Sequence, residues 1–398
     1  MEALISDWLS LVLRWTHVIT AIAWIGSSFF FMWLDSHLEA PARAEPGVEG
    51  ELWLTHSGGF YRMSKLQLAA DEMPRTLHWV KWEAAFTWMS GLLLLGVVYY
   101  HGARVYLIDA SVAALSPAAA IAIGIATLAV AWTVYDLLWQ SAMARTRPAL
   151  ATALSCVLLV GAAYALTHVY SGRGAFIHVG ALLGTIMAAN VWMRIIPAQR
   201  AMVAATAAGG SADPRLGASA KQRSVHNNYM TLPVVFIMLS SHYPRTYGHP
   251  YNWLILLALF AAGALVRHWF NLRNAGRRAW WPWPLAASVV IATAGVSAFT
   301  LPAAPAAQAG ATVSFSAARA VIARRCVACH SAQPSSAAFS SAPKGIKFDT
   351  ADQIVALAPR IRALAVDSRA MPLGNLTAMT AAERALLGRW IAAGARRD

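Results

Sequence analysis

The sequence predicts an all-α fold: a polytopic transmembrane helix bundle of about eight spans, a short linker, and a small extramembranous C-terminal domain. Three observations predict it. Only 13% of the 398 residues are charged, against roughly a quarter in a soluble domain, and the mean hydropathy is +0.48. Apolar stretches near the length that crosses a bilayer, about 20 residues, recur through residues 1–301. The composition then breaks at an Ala/Pro run, residues 302–312, which reads as a semi-stiff linker. The remaining residues, 313–398, are polar and basic.

Taken in order, the spans fall near 8–34, 79–100, 117–139, 149–168, 174–196, 229–241, 251–270 and 281–301. The sixth is short and contains Pro233, which predicts a broken or half-buried segment. No cleavable signal peptide is expected, because Glu2 and Asp7 precede the first basic residue, Arg14, and no small-residue cleavage site follows. The first span would direct insertion. With the N-terminus outside, the inner loops 35–77, 140–148, 194–228 and 271–280 hold fourteen Lys and Arg residues. The outer loops hold one each: Arg104, Arg173 and Arg245. This bias satisfies the positive-inside rule. Eight spans return the C-terminus to the outside.

The formal net charge of +14 is shared evenly: 20 basic and 13 acidic residues before position 313, 12 and 5 after it. In the C-terminal part the excess suits docking to an acidic acceptor or an anionic surface. Nucleic-acid binding is excluded as a reading, since the basic residues follow membrane topology instead of forming one patch. Of three cysteines, Cys156 lies in an apolar run and reads as a small packing residue. The other two belong to Cys326-Val327-Ala328-Cys329-His330. Two cysteines at this spacing form thioethers to haem vinyl groups, and the adjacent His ligates the iron. Such haem is attached outside the cytoplasmic membrane, which agrees with the topology. The C-terminal part therefore reads as a periplasmic cytochrome c domain carrying one covalent haem c. A helix is expected near 316–325. A second is expected from Ala381, with Thr380 and Glu383 as a capping box and Gly394 as its stop. Met371 is the expected second axial ligand and Met379 the competitor. A Met/His pair raises the haem potential, suiting transfer to a terminal oxidase or a soluble cytochrome.

Polar groups inside apolar spans are costly and point to function. His17 and His178 are expected at similar depth on the outer side, where two imidazoles could hold a b-type haem. His168 and His242 are substitute ligands, and a hydrogen-bonded core His is the plainer reading. On the inner side, Lys81 and Glu83 begin span 2, Arg223, His226 and Asn227 enter span 6, Asn190 and Arg194 end span 5, and Arg267 and His268 end span 7. Basic, amide and aromatic groups together suit a flat anionic heterocycle, while interfacial anchoring explains any one of them alone.

The motifs Arg14-Trp15-Thr16-His17-Val18-Ile19 with Trp24-Ile25-Gly26, His56-Ser57-Gly58-Gly59-Phe60-Tyr61, Leu77-His78-Trp79 with Lys81-Trp82-Glu83, His178-Val179-Gly180-Ala181, Ala189-Asn190-Val191, Arg223-Ser224-Val225-His226-Asn227-Asn228-Tyr229 and Ser241-His242-Tyr243-Pro244 resemble the membrane-bound bacterial urate oxidases, the PuuD family. The resemblance covers essentially the whole chain. It implies an eight-span domain fused to a cytochrome c, in the bacterial inner membrane. It also implies oxidation of urate to 5-hydroxyisourate, with electrons leaving through the cytochrome and not directly to oxygen. Joined to the residues, it suggests urate held by Lys81, Arg223 and Asn227, with Glu83 or His226 accepting a proton. Two rival readings are a quinol-linked electron-transfer subunit without substrate chemistry and a haem-handling transport protein.

Overall fold

The computed structural model describes residues 2–43, 45–299 and 313–397; the expected linker, 302–312, lies outside the described residues. The chain is mostly helical, and six helices are long and apolar enough to cross a membrane: Leu4–Ser36, Trp82–Tyr100, Pro117–Gln140, Pro148–Thr167, Gly172–Ala207 and Asn252–Asn274. The chain is accordingly a multi-pass membrane protein. In chain order the main elements are α1 (Glu2–Ser36), β1 (Val48–His56), β2 (Gly59–Leu66), α2 (Trp82–Tyr100), α3 (Pro117–Gln140), α4 (Pro148–Thr167), α5 (Gly172–Ala207), α6 (Pro214–Ser240), α7 (Asn252–Asn274), α8 (Pro282–Phe299), α9 (Phe315–Arg325) and α10 (Ala381–Ala392).

Helix starts are set by local chemistry. Ser116 caps α3 by accepting from the Ala119 amide at 3.2 Å, with Pro117 at the first helical position. Asp213 and Pro214 begin α6 in the same way, the carboxylate accepting from the Arg215 amide at 2.9 Å. The sixth expected span is instead the C-terminal half of one 27-residue helix that runs through Pro233. Gly263 of α7 explains how that turn packs: a Cβ there would lie 3.1 Å from the Pro233 nitrogen. Arg223, His226, Asn227 and Asn228 make α6 too polar to stand among the six apolar helices, and α8 is shorter than they are.

The bundle is organised around α5. Two thirds of its apolar window is buried, against at most 22% in any other of the six. Small residues permit this close approach. A Cβ on Gly180 would lie 2.6 Å from Ile237 of α6, and one on Gly124 of α3 would lie 2.7 Å from the His178 ring. Inside α5 the residues Asn190–Ile195 form a wider π-helical turn, a local feature common at functional sites.

Between α1 and α2 the chain forms an antiparallel hairpin that no expectation covered. Ser57 and Gly58, at φ 50° and 78°, make its two-residue turn, with His56 opposite Gly59. Its base is tied down by Asp35 at the end of α1, which accepts from Lys65 at 2.9 Å and from Lys221 of α6 at 3.1 Å.

Residues 313–397 build a second core. Both expected helices form, and the Thr380–Glu383 capping box is made reciprocally at 3.2 and 2.8 Å. Ile322, Leu387 and Trp390 are buried between α9 and α10 with Met379. Full burial of Leu387 alone contributes about 2 kcal/mol. This part sits on the end of the bundle opposite the hairpin: the Arg369 amide donates to the Gly248 carbonyl at 3.0 Å.

Candidate functional site

At the hairpin end of the bundle, α3, α5 and α6 enclose one polar cluster. Its centre is Asp136, the sole charged residue of α3. Arg194 pairs with it through both guanidinium branches, Nε lying 2.8 Å from Oδ1. Arg223 reaches the same oxygen at 3.0 Å from the other side, and Gln140 donates to Oδ2 at 2.8 Å. The π-helical turn puts Asn190 and Arg194 on one side of α5, so a single turn supplies both groups. Asn190 donates to the Tyr135 hydroxyl at 3.1 Å and to Asn227 Oδ1 at 2.9 Å, and accepts from Arg223 at 3.3 Å. Asn227 in turn donates to the Met187 carbonyl at 2.9 Å. His226 shares a 2.7 Å hydrogen bond with the Tyr135 hydroxyl, and its ring lies 4.1 Å from that of Trp139. Arg223, 1% exposed, also stacks over Tyr135 at 4.9 Å.

One carboxylate thus faces two guanidinium groups, and the cluster carries an uncompensated positive charge. Arg223 Nε is buried without a hydrogen-bond partner. Together with neutral amides and flat rings, this arrangement can hold a planar anion and offer donors and acceptors to its edge.

The structure therefore joins Arg223, His226 and Asn227. It places Lys81 and Glu83 at the start of α2, with the Lys81 ammonium 5.2 Å from the Trp82 ring and 5.1 Å from that of Trp192. Trp192 belongs to the same π-helical turn as Asn190 and Arg194, so Lys81 approaches the cluster's supporting element, not its centre. Tyr135 and Asp136 escaped sequence reasoning. The available signal was a lone acid in an otherwise apolar span.

His17 and His178 are set apart. His17 Nδ1 meets the Thr87 carbonyl at 3.0 Å and Ser90 Oγ at 3.1 Å. In that turn of α2, Trp88 donates to Thr185 of α5 at 3.1 Å, seven residues beyond His178. His17 and His178 therefore pack against different neighbours, His17 against α2 and His178 within the core about α5. His178 Nδ1 bonds the Gly174 carbonyl at 2.8 Å, and its Nε2 faces the Tyr100 hydroxyl at 3.4 Å.

The Cys-x-x-Cys-His segment follows directly on α9. His330 Nδ1 meets the Ile346 carbonyl at 3.0 Å, and the ring packs edge-on against Phe348 at 5.5 Å. That bond fixes Nε2 as the basic nitrogen and holds the ring still, as an iron ligand requires. Burial pushes the Cys326 thiol up to about 12. Among the described residues, no group of three His, Cys, Asp or Glu could hold a metal ion. Haem attachment needs only two thiols and one imidazole from this motif, and the residues fit it. Cys326, Met371 and Met379 all lie in or against the second core, Met379 3% exposed and Met371 half-buried at its edge. The Met371 carbonyl is held by Arg384 at 2.6 Å.

Residues 3–298 match the family described as Urate oxidase N-terminal. No curated protein and no solved structure matches the chain.

Proposed function

Because the chain belongs to the urate oxidase N-terminal family, we propose that it is a membrane-bound, cytochrome-linked urate oxidase. Its substrate would be urate and its product 5-hydroxyisourate, with electrons passed to a C-terminal haem c and on to the respiratory chain instead of directly to oxygen. The reading divides the chain at 301 and 313, with eight spans once α6 and α8 are counted. Both the N-terminus and the cytochrome c domain would face the periplasm, across the bacterial inner membrane.

The observation that carries the reading is the buried Arg223–Asn190–Asn227 cluster inside the family-matched segment. A buried guanidinium with an unpartnered donor, amide edges and stacking rings is the chemistry that recognises a flat anion. Urate is such an anion near neutral pH. Its oxidation takes one water and releases two electrons and two protons. Arg223 and Asn227 would orient the ring, and Lys81 would add charge at the edge of the site. His226, held by Tyr135 at 2.7 Å through Nδ1, would accept a proton and pass it through that hydrogen bond. Glu83 is the alternative acceptor. A haem c bound through Cys326 and Cys329, with His330 and Met371 on the iron, would supply a one-electron exit.

The test is an anaerobic optical spectrum of the full chain before and after urate. Reduction of the c-type α-band with no oxygen present is the expected result. A haem that urate leaves oxidised and a quinol reduces would replace this reading with the quinol-linked carrier.

A further inference from the structure

Beside the Asp136 cluster, on the adjoining face of α6, lies a second buried cation that the function above does not use. Arg267 of α7 is 4% exposed, and among the described residues it makes no ion pair. Its Nε donates to Asn228 Oδ1 at 2.8 Å, and its guanidinium lies 4.0 Å over the Phe29 ring of α1. Two donors remain: Arg267 Nη2 and Asn228 Nδ2 are both buried without any hydrogen-bond partner. Asn228 itself is fully buried.

The contrast with Arg223 is informative. Arg223 is equally buried, but it shares the Asp136 carboxylate, 3.0 Å away, with Arg194. Arg267 has only a neutral amide and an aromatic face. A guanidinium enclosed without a counter-ion is a costly arrangement, and two orphan donors, one its own and one on Asn228, add to the cost. An anion with two adjacent acceptors would remove both terms at once. Deprotonated cyclic ureas present that edge: a carbonyl oxygen next to an anionic ring nitrogen.

We propose that Arg267 and Asn228 form the charge-recognising half of the substrate site, binding the anionic O=C–N edge of urate through Arg267 Nη2 and Asn228 Nδ2. The inference rests on the reading of urate as substrate and deepens it. Asn227 and Asn228 are successive residues of one turn, so α6 presents the amide-reading face and the charge-reading face side by side. Arg223, which has the Asp136 carboxylate beside it, is then the lesser contributor to anion affinity.

The experiment compares the full chain in nanodiscs with its Arg267→Gln variant. Two quantities are read: half-saturating urate in turnover, and equilibrium urate binding to dithionite-reduced protein, from which no electron can leave. Arg267→Gln is expected to weaken both by about 10- to 100-fold, the loss typical of a charged hydrogen bond. Its kcat should stay within about threefold of wild type, as when binding common to ground and transition states is removed. Unchanged half-saturation and unchanged binding overturn the proposal. A wild-type chain that neither binds nor oxidises urate overturns the substrate reading instead, and is recognised without any variant. Should Arg267→Gln fail to accumulate, Asn228→Asp decides. It is isosteric and supplies Arg267 with a carboxylate, so it should keep or raise thermal stability while losing urate binding. Wild-type urate affinity in Asn228→Asp would sink the proposal.

Discussion

Asp136 illustrates how much one side chain can organise in this bundle. It anchors Arg194 from α5 and Arg223 from α6, and so fixes the relative rotation of two helices about α3. Removing its charge leaves two guanidinium groups uncompensated. Asp136→Asn is expected to destabilise the membrane part by about 3–5 kcal/mol, read as a lowered thermal midpoint of the purified protein. Arg223→Ala leaves no charge stranded, since Arg194 still pairs with Asp136. It should raise half-saturating urate by about tenfold, the scale of one charged hydrogen bond, and leave the c-type spectrum untouched. Residues such as Arg223, His226 and Asn227 were legible because they crowd one short run of sequence. Asp136 and Tyr135 were not, because their partners on α5 and α6 lie more than fifty positions away and only the fold brings them together.

Elements were legible where short-range chemistry decides them and illegible where packing does. The Thr380–Glu383 capping box was readable from four residues, and α10 begins there. Pro233 suggested a break, yet α6 runs through it because Gly263 admits the neighbouring helix and the polar half of α6 is buried against α3 and α5. The hairpin hid inside a segment taken for a loop. Its signal was the alternation of residues 48–56 ahead of Ser57-Gly58-Gly59, and the turn needs positive φ at Ser57 and Gly58. The π-helical turn in α5 has no comparable mark in the sequence.

Glu383 links an element to solution conditions. Burial works against its charge, but the Thr380 amide and Arg325 hold its carboxyl below the ordinary glutamate range. A folded-state value below the unfolded one contributes stability above the unfolded value, and that stability is lost as pH falls through the folded one. The C-terminal part should therefore lose thermal stability between about pH 5 and pH 3, and Glu383→Gln should flatten that dependence. An equally steep acid limb in Glu383→Gln would locate the effect elsewhere.

At the scale of the whole molecule, the C-terminal part is seated on the bundle by backbone. The Arg369 amide bonds the Gly248 carbonyl, and Arg245 lies 3.8 Å from Asp367. Gly374, at φ 54°, comes so close that a Cβ would lie 2.5 Å from the Ile108 carbonyl. A cavity of about 330 Å³ remains at this seam, lined by Arg173, Arg369, His168 and Asp109 among others. Gly374→Ala meets both an unfavourable φ and that carbonyl. It is expected to unseat the C-terminal part, seen as faster hydrogen exchange at the Arg369 amide with no change in the stability of either core. The overall division into an apolar bundle and a polar tail was legible from composition. The seating was not, since it is written in backbone groups that every residue carries.

On the proposed reading of the tail as an electron exit, that seating decides what kind of conductor the protein would be. A tail swinging on a tether would act as a ferry, loading at one place and discharging at another. A tail fixed to its bundle is a terminal: the Met371 loop stays where Gly374 pins it, and traffic must come to it. Mobility would then belong to the proposed acceptor, and its approach would be governed by the surface of the tail that faces away from the bundle.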